Sequence, residues 1–511
     1  MKFTKLTKKV VLGLVLGGLA VTNTAMAGKS NDTMSVAAYS KFATMEPFQT
    51  SARQMIQMAY LMWDPLVLRE PDSGKIIPHV ATSWKKIDER TWEFTIRDDV
   101  TFHNGNKLTA EAVRFTIMDR VLNATPKSPR LSNFKWVKGV EDINDTTFRI
   151  ISNDPYPLVL EQLNTLFLMD PKSTVEKGFE YVQGNAMGSG PYKFVSWDKG
   201  SRVTMVRNEN YWMKGVPAIK NVVIKVVPEV STRLAELFSG GVDLSLNLLN
   251  DQVPSFKDQP DYEVLNFSIL RIDFWQFDSM GRASDSPLKD VRVRRAIAHA
   301  IDRKKIVSKL VQQEGYEVNG STSPYHFGHD ASIKGYEYDP KKAKALIAEA
   351  GYKDGFEIDL WQYASHQKLF NQAAMQMLSK VGIKVNLKDY VGNTQQMAKL
   401  RRSGKLTGIA NLNWGSYNVF DADMILHPFF DFDGQNNYAG DKELSDWLNT
   451  GRASTDQKLR KELYTKAQQR IHDQAYWMPT FGVRRFYGKS KDLDVVAGVD
   501  EVPRMQFARW K

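Results

Sequence analysis

Val222-Val223-Ile224-Lys225-Val226-Val227, then Ser231 to Ser239, then Gly240-Gly241 and Val242-Asp243-Leu244-Ser245-Leu246 make up the stretch that decides the fold class. The first run is continuous and β-branched, as in a strand buried on both faces. The second has its apolar residues at helical spacing. The glycine pair stops that helix, and the third run is again a strand. Strand, helix and strand within so short a distance predict an α/β layer architecture.

The same reading extends outward. Met34 to Ser40 is expected to be a first strand, and Trp92 to Ile96 alternates with period two. His103-Asn104-Gly105 marks a turn, followed by a short helix from Thr109 and a strand at Thr146 to Ile151. Gly188-Ser189-Gly190-Pro191 opens a strand at Tyr192. A second α/β series then begins. Helices are expected at Val291 to Leu310, Pro340 to Ala350, Lys368 to Val381 and Gln457 to Gln474. Strands are expected at Phe356 to Leu360, Ile383 to Leu387 and Gly408 to Leu412, the last delivering Asn413 and Trp414 at its carboxyl end. Phe481 to Lys511 reads as short strands and turns. Two α/β bodies without a flexible connector predict lobes that close over a ligand, with the site at the carboxyl ends of strands.

The chain has 511 residues and no cysteine. Its length corresponds to about three domains. The missing cysteine excludes disulfides, thiol nucleophiles, zinc–thiolate sites and thioether lipid anchors. Lys2, Lys5, Lys8 and Lys9 precede an apolar run from Val10 to Val21, and Ala25-Met26-Ala27 is a small-x-small cleavage site. Residues 1–27 therefore read as a secretory signal peptide, because the apolar run is shorter than the ~20 residues a membrane span needs. Losing the four leader lysines takes the net charge from +11 to +7. Acids and bases alternate along the mature chain, which gives no nucleic-acid signature. The product is expected to be soluble, monomeric and periplasmic.

The usual catalytic constellations are missing: no G-x-S-x-G, H-E-x-x-H, Walker or dinucleotide fingerprint occurs. His326 and His329 are two ligands where a metal needs more, and they read as part of a polar surface loop. Asp421-Ala422-Asp423 read as solvated loop acids, since calcium loops need a denser run of oxygens. No cofactor is expected. An exported hydrolase is a distant alternative.

Several segments together resemble the bacterial solute-binding proteins, family 5, of peptide/nickel-type ABC transporters. They are Tyr60-Leu61-Met62-Trp63-Asp64-Pro65-Leu66-Val67, Pro78 to Trp84, Trp92 to Gly105, Thr109 to Val113, Gly188 to Lys193, Asn208-Glu209-Asn210-Tyr211-Trp212, Asp290 to Arg303 and Asp339 to Gly351. They occur in family order and span most of the mature chain. The resemblance implies a two-lobed periplasmic-binding-protein fold (type II) with an extra subdomain, and no enzymatic activity. Lobe I would take residues 28–285 plus 480–511, with the inserted subdomain at about 70–187, and lobe II residues 286–479. The implied function is that of an ABC importer's receptor. It would capture a small peptide or peptide-like solute between the lobes and deliver it to the permease in the inner membrane. An oligosaccharide or metal-chelate receptor of the same fold is the alternative, and a sensory role in place of transport stays open.

The resemblance also implies where ligand residues fall. Peptide-binding members place an aspartate shortly after a tryptophan to hold the ligand's ammonium. Here Trp414-Gly415-Ser416-Tyr417 puts tyrosine at that place, leaving Asp421 or Asp423 as substitutes. The arginine expected for the ligand's carboxylate is absent from Leu360 to His366. The same region is aromatic instead: Trp361, Tyr363, Trp414 and Tyr417, with His366 beside them and Tyr39 and Trp275 added from elsewhere. An aromatic cleft suits stacking, cation–π contact or an apolar side chain.

Overall fold

The computed structural model describes residues 28–71, 73–282, 286–415 and 418–511. The expected signal peptide and Tyr417 lie outside the described residues.

The stretch that decides the fold class builds the centre of lobe I. Thr33–Ala38 is buried at every position and pairs in parallel with Asn221–Val226 on one side and Leu244–Leu248 on the other. The intervening helix, Val230–Phe238, is capped by the Glu229 carboxylate, which accepts from the Thr232 N–H. Such a cap satisfies one of the otherwise unpaired amides at a helix start. The third run is displaced by two residues from its expected place, because Val242 still belongs to the turn. Antiparallel strands Arg202–Arg207 and Tyr192–Asp198 complete this edge. A separate antiparallel sheet of Ala81–Lys86, Thr91–Ile96, Thr147–Ser152 and Val137–Asn144 lies within 70–187.

Lobe II has Phe356–Gln362 between parallel neighbours Ile383–Asp389 and Ile409–Trp414. Two long strands join this sheet to that of lobe I. Tyr262–Phe277 pairs antiparallel with Trp477–Ser490 along most of its length and with Ile409–Trp414 at its lobe II end. Trp477–Ser490 also pairs with Leu244–Leu248 of lobe I. One hydrogen-bonded sheet therefore runs through both lobes. Apolar cores lie on either side of the crossing: a large one built from residues of Met34 to Leu246 and the tail, and two in lobe II around Ile297 and Phe370 and around Phe429 and Trp477.

Three local expectations are corrected. The helix expected at Val291 to Leu310 stops at His299, and a new one starts at Arg303, because the Asp302 side chain accepts from Lys305 N–H and caps a second start. Phe481 to Lys511 does not begin with short strands but with most of a 14-residue strand. Tyr262–Phe277 was not anticipated as a strand at all.

Four of the segments that carry the family resemblance converge on one buried carboxylate. Asp64 meets His79 Nε2 at 2.9 Å, Ser189 Oγ at 2.9 Å and Tyr211 Oη at 2.6 Å, with Trp212 Nε1 at 3.4 Å. Buried carboxylates persist where their oxygens are satisfied in this way. His103 ties in the turn: its Nε2 lies 2.9 Å from Gly190 O, and its backbone N–H donates to Gly188 O. A Cβ on Gly188 would stand 1.9 Å from Met62 O, so only glycine fits that crossing. The motifs that meet at Asp64 are scaffold of lobe I.

Candidate functional site

The lobes touch across a cleft. Glu161 of lobe I accepts the Phe420 N–H of lobe II at 2.7 Å and an Arg69 Nη2–H at 2.6 Å. The Arg69 guanidinium lies 3.9 Å over the Phe420 ring and donates to Asn418 O. Arg53 donates to the Asn418 side chain. Further out, Lys86 and Glu89 of lobe I both bind Thr455 of lobe II.

Two chambers lie behind these contacts, with Trp414 in the wall of both. The larger, about 670 Å³, is lined by Trp136, Tyr156, Lys135 and Gln162 from lobe I and by Met424, Asn449 and Arg452 from lobe II. Trp136 and Tyr156 stack at 4.6 Å. The smaller, about 420 Å³, is lined by Arg53, Arg271, Arg401 and Arg402 together with Tyr363, Asn413 and Phe429. Trp414 ends its strand at this point, as a site at a strand's carboxyl end requires. Its indole N–H donates to Met424 O at 2.8 Å and its ring meets Phe429 edge-on.

Glu501, in the C-terminal tail, organises the arginines. Arg271 Nε lies 2.7 Å from its carboxylate, Arg485 Nε 3.7 Å and Arg53 Nη2 3.8 Å. Burial alone would push this carboxyl up, but Arg271, Arg53 and Arg485 together hold it down to about 2. Glu501 has φ of 66°, a left-handed conformation that costs a residue with a Cβ of order 1 kcal/mol. Its carbonyl accepts from Gln57 and Tyr487.

Of the expected site residues, Trp414 and Tyr363 line the cleft. The Tyr363 hydroxyl accepts the Asn413 N–H, and burial, then Asp273, push its phenol up to about 12. Tyr39 is half-buried, and burial and Glu501 raise its phenol. His366 Nε2 lies 2.9 Å from the fully buried Asp273 and 3.3 Å from Asn413 Nδ2, and it also lines a third cavity beside the crossing strands.

The remaining placements differ from expectation. Trp275 is fully buried, donating to Asn371 and packed on Phe370, so it is a core residue. Trp361 donates to Thr407 O and packs at 5.5 Å from Tyr390, outside the linings of both chambers. Asp421 and Asp423 are not solvated loop acids. Both are buried, Asp421 on Arg460 at 2.9 Å and Asp423 on Arg452 at 2.7 Å. Burial lifts the Asp421 carboxyl to about 7 against the pull of Arg460. Already paired within lobe II, neither is placed to receive a ligand's ammonium. His326 is likewise buried rather than in a surface loop, and among the described residues no group of three or more His, Asp or Glu is placed to hold a metal.

The arginines and Glu501 were not anticipated. They are scattered from Arg53 to Glu501, and only the fold brings them together.

The sequence profile for the middle region of the bacterial extracellular solute-binding proteins, family 5, matches residues 75–437. The chain is 28% identical to heme-binding protein A of Haemophilus influenzae, over 84% of this chain and 87% of that one. It is 27% identical to the glutathione-binding protein GsiB of Pectobacterium atrosepticum, over 90% of each. Its fold superposes on a dipeptide-binding protein of a Pseudoalteromonas species, solved with Met-Leu, with a TM-score of 0.77 at 22% identity, covering 94% of this chain and all of that one. No helix among the described residues is long and apolar enough to cross a membrane. With its two-lobed α/β fold, its ordered motifs and its interlobe chambers, the chain belongs to the bacterial extracellular solute-binding proteins, family 5.

Proposed function

We propose that this protein is the periplasmic receptor of an ABC importer, that it closes over a small peptide or peptide-like solute, and that it hands the solute to the permease in the inner membrane. The observation that carries this reading is the pair of interlobe chambers with Trp414 between them. A solute held there touches both lobes, so it binds the closed form better than the open one and shifts the population toward closure. In this reading residues 1–27 are removed on export. Lobe I takes 28–285 and 480–511 with its subdomain at about 70–187, lobe II takes 286–479, and the receptor works as a soluble monomer. Trp414 and Tyr363 contact the solute, and His366 supports Asn413 beside it. No catalytic step is assigned to it.

The arginines favour a metal chelate bearing carboxylates as a second reading. A thermal-shift series separates the two, because a ligand bound at about 100 times its Kd stabilises by about 2.7 kcal/mol. Dipeptides to pentapeptides, glutathione, haem, oligosaccharides and nickel–histidine are compared. A rise in Tm with peptides supports the proposal. Silence of every peptide alongside a rise with a chelate or a sugar overturns it.

A further inference from the structure

We infer that the smaller chamber is a polyanion-recognition subsite, and that the solute presents two or more carboxylates to it. This rests on the reading of the chain as a solute receptor and names the charge of what it takes. Four arginines line the chamber and no aspartate or glutamate does. They come from three parts of the fold. Arg53 opens a helix of lobe I, Arg271 sits on a crossing strand, and Arg401 and Arg402 end the helix Thr394–Arg402 of lobe II. An anion held between them bridges the two lobes and stabilises closure directly.

Glu501 fits the same purpose. It is a single buried carboxylate facing three arginines, Arg53, Arg271 and Arg485, so it fixes their guanidiniums while offsetting one charge of the three. Holding it in a left-handed backbone conformation makes sense where the fold needs a carboxylate at that one point. Arginine offers a planar fork that matches a carboxylate with two parallel hydrogen bonds. Tyr363, Trp414 and Phe429 supply the flat apolar wall against which a peptide-sized body can lie. The four arginines lie outside the Leu360 to His366 segment, where the family resemblance placed a carboxylate-binding arginine and where none occurs.

The test is isothermal titration of the mature chain with three tripeptides, Glu-Ala-Glu, Gln-Ala-Gln and Lys-Ala-Lys, and with inorganic pyrophosphate. Glu-Ala-Glu is expected to bind at least about tenfold more tightly than Gln-Ala-Gln, a margin that raised salt narrows. Arg402→Gln, at an exposed helix end, is expected to narrow the same margin while the melting curve shows an intact fold; Arg271→Gln is the second variant. Equal affinity for the acidic and neutral peptides, or preference for Lys-Ala-Lys, overturns the inference and leaves the receptor reading standing. Binding of pyrophosphate but not of Glu-Ala-Glu overturns it in favour of a phosphate ligand. Silence of all three peptides overturns this inference, and the peptide reading falls with it only where the dipeptide-to-pentapeptide series is silent too.

Discussion

Glu161→Ala should open the receptor without unfolding it. The Glu161 carboxylate accepts two hydrogen bonds that differ in kind. The bond from Arg69 lies within lobe I and survives when the lobes part, whereas the bond from the Phe420 N–H exists only when they meet. A hydrogen bond to a charged group contributes about 1.5–3 kcal/mol net. The Glu161 side chain is 21% exposed, and the value near 2 kcal/mol is therefore the better guide. That corresponds to about a 30-fold shift of the closure equilibrium toward the open form. The chain has no cysteine, so a cysteine pair at Val175 of lobe I and Leu459 of lobe II, both exposed, carries spin labels at defined positions. Pulsed electron–electron distances in the unliganded protein should gain a longer component in the variant, and saturating ligand should restore the short one. An unchanged distance distribution together with a lowered Tm would show that Glu161 serves only lobe I, and would refute the latch.

Three further outcomes are expected. Trp414→Ala removes the shared chamber wall and its contact with Phe429; ligand affinity should fall at least about tenfold while the unliganded Tm moves little, and calorimetry on the purified variant reads both. His103 should make the protein acid-sensitive. Burial holds its imidazole down to about 4, and Nδ1 has no partner to receive a proton's hydrogen bond. A base depressed from its ordinary value near 6.5 contributes stability above that pH, and the contribution is lost as pH falls toward 4. The Tm of His103→Gln should therefore fall less than that of the parent between pH 7 and 4.5, and a parallel decline would exclude this histidine. Gly188→Ala should cost about 3 kcal/mol or more, or prevent folding, since the added methyl meets the Met62 carbonyl; a wild-type urea midpoint would contradict the packing.

The fold was legible because its determinants are local. Val222 to Val227 and its neighbours show burial through β-branching, and four of the ordered motifs supply the side chains that meet at Asp64. Tyr262–Phe277 carries no strand signature in the sequence because its setting changes along its length. It is half-exposed at the lobe I end and buried at every one of its last six positions, so no single period describes it. Trp477–Ser490 is broken to the eye by Gly482, Arg484, Arg485 and Gly488, yet Gly482 is where the Tyr316 ring packs against the strand. The site was legible only in part. Trp414 and Tyr363 stand at predicted strand ends, whereas Arg53, Arg271, Arg401, Arg402 and Glu501 share no spacing a sequence could display. Asp421 and Asp423 misled because the sequence does not show that Arg460 and Arg452 pair with them.

The two crossing strands also make both lobes depend on a single segment. Leu244–Leu248 and Tyr262–Phe277 both take Trp477–Ser490 as a neighbour, and that strand lies near the end of the chain. Without it the sheet has a gap at its middle and lobe II lacks Met478, Phe481 and Val483 from its core. Pairings this distant in sequence form slowly, because the loop must close before the contacts reward it. Loss of Trp477–Ser490 would therefore disable both lobes at once.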